Sequence, residues 1–158
     1  MIPMNNADKI SNKYTVGDVV RSNTATRMGL KEQFTPPQSV IDSASYLAKT
    51  VLDGLPIPTI INSWYRSPKL NTAVKGARNS DHMTGSAVDL DTANDARNGE
   101  VFQYILENCE FNQLIWEFGN DKNPSWVHVS CKPTGNKREV LVAYKDPQNR
   151  TRYKPYKP

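Results

Sequence analysis

Cysteine is scarce in this sequence: Cys109 and Cys131 are the only two, too few for the disulfide framework of a small secreted domain. Free thiols in a reducing compartment are the expectation. Histidine is equally scarce, so any imidazole chemistry has to pass through His82 and His128. No run of about 18 apolar residues occurs, which excludes a membrane-spanning helix by pattern and argues against membrane insertion. Residues 1–12 hold no apolar stretch behind a basic start, so no export signal is expected. Internal repeats, a P-loop and a dinucleotide-binding glycine fingerprint are missing, and the corresponding repeat and nucleotide-binding classes drop out. The formal charge of +4 suits polyanionic surroundings, whether nucleic acid or acidic wall polymers. The lysines and arginines are scattered, however, with no aromatic RNA motif and no DNA-reading helix, so no nucleic-acid partner is expected.

What is present fits one α+β domain over residues 1–134, in a monomer. Thr35, Pro36 and Gln38 read as a capping box opening a helix, and Val40, Ile41, Ala44, Leu47, Ala48, Val51 and Leu52 supply its apolar stripe. The β-branched and aromatic run at 59–65 predicts a strand. Ser67 with Pro68 predicts a short helix after it, and residues 99–108 another. Residues 112–118 and 126–131 predict two strands joined as an antiparallel hairpin. Beyond residue 134, an edge strand at 140–144 and a loose, flexible basic tail at 145–158 are expected.

Alternation along the strands sorts the polar residues. His128 shares a face with Trp126 and Ser130, whereas Val127, Val129 and Cys131 point to the core, which argues against Cys131 as a ligand. Asp89 and Asp91 share an open face while Val88 and Leu90 are buried. Parity does not separate the two aspartates; Asp89 is the preferred ligand and Asp91 the reserve. Two imidazoles and a carboxylate suit zinc, with a fourth position left for water, so hydrolysis is the chemistry suggested. Glu117, a lone carboxylate between Trp116 and Phe118, is the preferred general base because apolar surroundings raise a carboxyl pKa toward the useful range. Asp121 in the intervening loop is the second choice.

The string Ser80-x-His82-x-x-Gly85-x-Ala87-x-Asp89, with Tyr65-Arg66-Ser67 upstream and Trp126-x-His128 downstream, resembles the zinc D-Ala-D-Ala carboxypeptidase family. Vancomycin-resistance D,D-dipeptidases and phage L-alanoyl-D-glutamate endolysins are relatives, and the shorter phage and bacterial branch is the nearest in pattern. The resemblance spans roughly residues 14–131. It implies helices packed on a small antiparallel sheet, with one zinc ion in a cleft of that sheet held by His82, Asp89 and His128. It further implies that Arg66 contacts substrate near the scissile amide and that Ser80 belongs to the same pocket. The substrate implied is a D-amino-acid-containing peptide, above all the peptidoglycan stem. A phage lysis protein, cytoplasmic until release, or a virion component would fit that role. One departure stands out: many relatives carry a glutamate three residues before the last histidine, or a histidine two before it, where this chain has Ser125 and Trp126. The departure keeps a second expectation open, a metal-holding module that binds wall or a protein partner without catalysis.

Overall fold

A computed structural model describes residues 4–158. Among the described residues, six strands form one open sheet in the order β1-β2-β4-β3-β5-β6. They are β1 (Ile60–Ser63), β2 (Ala87–Asp91), β3 (Gln113–Glu117), β4 (Trp126–Ser130), β5 (Glu139–Lys145) and β6 (Thr151–Pro155). Every neighbouring pair is antiparallel except β3 with β5. The fold is α+β as expected. Val88, Leu90, Leu114, Val127 and Val129 leave one face of the sheet for a core shared with α3 (Gln38–Leu47) and α5 (Asn98–Asn108). The opposite face is left for chemistry. Among the described residues, no helix is long and apolar enough to cross a membrane.

Two expectations about boundaries are corrected. The helix predicted to open at the Thr35 capping box begins at Gln38, with Pro37 as an N-cap that makes no side-chain hydrogen bond. Each residue before a proline is driven to extended backbone, so Thr35 and Pro36 are both held out of the helix. Thr35 instead ends a 3₁₀ turn at Lys31–Phe34. The apolar stripe is nonetheless as predicted, because α3 runs on into a π-helical turn, Ala48–Leu52, that buries Val51 and Leu52.

The second correction concerns the C-terminus. Residues 151–155, expected to be part of a loose tail, form β6, and β5 is an interior strand rather than an edge. The local cause is Asp146. Its carboxylate accepts hydrogen bonds from the backbone of Gln148 and Arg150 and from the guanidinium groups of Arg150 and Arg152, at 2.8–3.1 Å. That hub fixes the turn and sets the register of Ala143 opposite Tyr153. Val140 and Tyr156 anchor the hairpin on the core side, where Tyr156 meets Phe102 and Trp116. Seven of the chain's 20 Lys and Arg residues, against two of its 16 acidic ones, fall in residues 137–158, so the net positive charge resides on this hairpin. Charged side chains and Pro155 also blunt the exposed edge against pairing with another strand. Asp146→Ala is expected to raise amide exchange across β5 and β6 by about tenfold, from the loss of several turn hydrogen bonds. Protection of β2 and α3 should be unchanged, as read by hydrogen-exchange mass spectrometry.

Three further elements lead to the cleft. In α1 (Val16–Val20), which α2 (Asn23–Met28) follows, Thr15 and Asp18 form a capping box that sequence patterning did not single out. The fully buried Gln33 donates to the Val20 and Tyr65 carbonyls and accepts from the Ser67 amide, tying the N-terminal segment to the exit of β1. There α4 (Pro68–Ala73) starts under a Ser67 cap, as the sequence predicts.

Candidate metal centre and active-site cleft

Trp64 is the residue on which the site is hung. A register shift in β1 between Ile61 and Ser63 ends the strand, and Trp64 turns inward, 1% exposed. Its indole N–H donates to the Gly85 carbonyl at 3.0 Å, and its own carbonyl lies 2.6 Å from His82 Nδ1. A carbonyl can only accept, so the His82 proton sits on Nδ1 and Nε2 is presented to the cleft. The 3₁₀ turn Asp81–Thr84 carrying His82 is capped by Ser80, whose Oγ accepts the His82 amide at 3.2 Å. Gly85 ends that turn at φ 79°, where a Cβ would fall 2.5 Å from the Val40 carbonyl oxygen. Only glycine permits this approach.

β2 and β4 place Asp89 directly opposite His128. Asp89 Oδ1 is 3.0 Å from His128 Nδ1, and Oδ2 is 3.4 Å from His82 Nε2. The two rings meet edge-on at 5.3 Å. One donor atom from each of His82, Asp89 and His128 lies within 4.8 Å of the others, so these residues could hold a metal ion. Burial alone would push the Asp89 carboxyl up, but positive charge on the two imidazoles when they are protonated, with the hydrogen bonds they then donate, outweighs it and holds the group well below the ordinary carboxylate range; a bound cation would take the place of those protons. Asp89 is therefore ionised, as ligation requires. Neutral imidazole nitrogens and a carboxylate oxygen, convergent and shielded, form a donor set that suits Zn²⁺.

Arg66 braces this cluster from behind: its guanidinium reaches Asp89 at 3.4 Å, Ser63 Oγ at 3.2 Å and Asn71 Oδ1 at 3.5 Å. Arg66, Ser80, Glu117 and the His–Asp cluster line one open cleft of about 570 Å³. Glu117 is 7% exposed. Burial pushes its carboxyl up to about 7; Asp89 adds to the rise, while His128 and Arg66 oppose it.

Several points that patterning left open are decided by position. Asp91 is engaged by the Thr92 amide and the Asn98 side chain, away from the imidazoles, so the choice between the two aspartates falls to Asp89. Asp121 faces Trp116, Asn120 and Val142 in a separate depression and does not line the cleft. Cys131 packs into the core, where burial pushes its thiol up to about 11. Trp126, on the face it shares with His128, is half-buried against Phe118 and lines the cleft. Tyr153, in the segment expected to be loose, lines it too. The signal that could have found it is the alternation of Thr151, Tyr153 and Pro155 with Arg152 and Lys154.

Residues 12–130 match a family model described as Peptidase M15. The chain belongs to that family. This M15 peptidase is thus placed among zinc-dependent metallopeptidases, in agreement with the resemblance read from its motifs. A search of curated proteins finds no match to it. The matched span of this M15 chain includes Arg66, Ser80, His82, Asp89, Glu117 and His128, and ends before β5.

Proposed function

We propose that this M15 metallopeptidase hydrolyses amide bonds in peptidoglycan stem peptides, with His82, Asp89 and His128 holding one zinc ion and Glu117 as general base. The observation that carries the reading is Glu117: a buried carboxyl, pushed up to about 7 by that burial, in the same cleft as a convergent His–Asp–His donor set. Zinc bound there supplies Lewis acidity, acidifying water and polarising a scissile carbonyl. Glu117 accepts a proton from the attacking water as the new C–O bond forms, and delivers it to the departing nitrogen as the C–N bond breaks. A carboxyl with a pKa near neutrality suits both halves of that transfer. Arg66 orients Asp89 and adds positive charge beside the carbonyl oxygen as it becomes negative. Ser80 positions the His82 turn at the rim, where its hydroxyl is available to substrate.

Stem peptides are the substrate favoured by the motif resemblance. They carry carboxylates, which Arg66, Lys75 and Lys137 can pair in a cleft that also holds Asp81, Asp89, Glu117 and Glu139. The direct test is release of soluble fragments from purified sacculi, with mass spectrometry naming the new termini. Cleavage should require zinc and stop on chelation; failure of the fully zinc-loaded protein to cut any stem peptide would overturn the proposal. The pH profile is a second check. The base form of Glu117 is required, so kcat/KM should rise with pH along an acid limb. That limb should lie above the ordinary 4.5 and no higher than about 7, because a bound cation favours the carboxylate.

A further inference from the structure

The family match ends at residue 130, and one whole side of the cleft is built from residues beyond that point. β5 joins β3 in parallel and β6 joins β5 antiparallel, so the cleft-facing rows of the sheet continue across two more strands. In one row Trp126, Glu117, Ala143 and Tyr153 stand side by side on β4, β3, β5 and β6. In the next row stand Asp89, His128, Ile115, Leu141 and Pro155. Paired residues project to the same face of a sheet, so Tyr153 faces the cleft two strands beyond Glu117, about 10 Å away at the backbone. Ala143, between them, is fully buried, so neighbouring side chains close over its methyl group and the cleft surface here is made by Glu117 and Tyr153 themselves.

A structural role does not account for Tyr153. The hairpin is anchored from its other face by Val140 and Tyr156, while Tyr153 remains 54% exposed and buries too little to hold the strand in place. A phenol keeps its proton at neutral pH and can donate it. An aromatic ring with a hydrogen-bond donor at its tip is a favoured contact for a peptide, combining apolar area with one directed polar bond.

We propose that the β5–β6 hairpin is a wall of the peptide-binding cleft and that Tyr153 is its substrate contact, the ring packing on the bound peptide and the hydroxyl donating to one of its carbonyl oxygens. The inference rests on the peptidase reading above and adds to it a specificity element from outside the matched family region. Tyr153 and Glu117 line the same cleft in one row of the sheet, which places the contact on a substrate residue near the scissile amide.

The test uses the full chain, zinc-loaded, with glycosidase-released muropeptides containing both monomeric and cross-linked stems. Tyr153→Phe removes the donor alone and should lower kcat/KM by about three- to tenfold. Tyr153→Ala removes the ring as well and should cost at least about tenfold more. Affinity for the uncleaved muropeptides, measured by calorimetry in a Glu117→Gln background, should fall in the same order, while zinc content and the Tyr153→Phe melting temperature stay at the parent values. A wild type that cleaves, beside Tyr153 variants with unchanged kcat/KM and affinity, overturns the contact and leaves the peptidase standing. A wild type that cleaves no muropeptide overturns the peptidase reading, and the contact with it.

Discussion

Glu117→Gln is expected to reduce turnover by about 100- to 10,000-fold, the usual contribution of a positioned general acid–base, while zinc stoichiometry stays at one. Glutamine keeps the size and polarity of the side chain but cannot take the proton of the attacking water. The same substitution makes an opposite prediction for stability. Burial raises the Glu117 pKa from 4.5 to about 7, so folding takes up a proton between those values. The contribution of the neutral form is complete below pH 4.5 and is lost as pH rises through 7. In the metal-free protein, Glu117→Gln should therefore be the more stable form at pH 8, by up to about 3 kcal/mol, and the two should converge near pH 4. Chemical denaturation at both pH values checks the sign. Retained turnover would show that the base is elsewhere and would reopen the reading of a metal-holding module without Glu117 chemistry. Lost turnover with no pH-dependent stabilisation would leave the base in place but remove burial as the reason for its pKa.

Asp89→Asn is expected to weaken zinc binding by at least about a hundredfold, and activity with it. Loss of a group that merely supports a ligand commonly costs about 10- to 100-fold in metal affinity, and Asp89 would supply the one anionic donor of the proposed three. Its carboxylate also lies between both imidazoles and Arg66, so the substitution removes the group that aligns them. Asp91→Asn is the control from the same face of the same strand. It should leave zinc affinity intact, because Asp91 is occupied by Thr92 and Asn98. Competition with a chromophoric chelator distinguishes the two. Wild-type affinity in the Asp89 variant would remove it from the ligand set.

Much of the site was legible in the chain because it depends on short-range rules. His82 and Asp89 are separated by one turn that ends on Gly85, and a turn of that kind needs a positive φ, which glycine signals directly. The strand parity of Asp89 and His128 follows from alternation, which any half-buried strand must obey to keep valines inside. Glu117 was visible as a charge surrounded by aromatic residues. Cys131 was turned away from the site by the same parity argument. The choice of Asp89 over Asp91 was not legible, since both satisfy alternation; it depends on where β4 brings His128 and where Asn98 at the start of α5 reaches back. The position of Asp121 likewise depends on the path of a loop.

Periodicity and turn chemistry act over a few residues, and they were enough to specify the α+β class, the open face of β2 and β4, and the three donors able to meet on it. Long-range packing had to supply the rest: Arg66 bracing Asp89, Trp64 setting the His82 tautomer, and a polar, proline-bearing C-terminus completing the sheet and bringing Tyr153 to the cleft. Those outcomes rest on contacts between segments distant in sequence, above all the pairing of β5 alongside β3. β6, with little apolar content of its own and exposed along its length, is held by its hydrogen bonds to β5, whose own valines and leucine carry the packing.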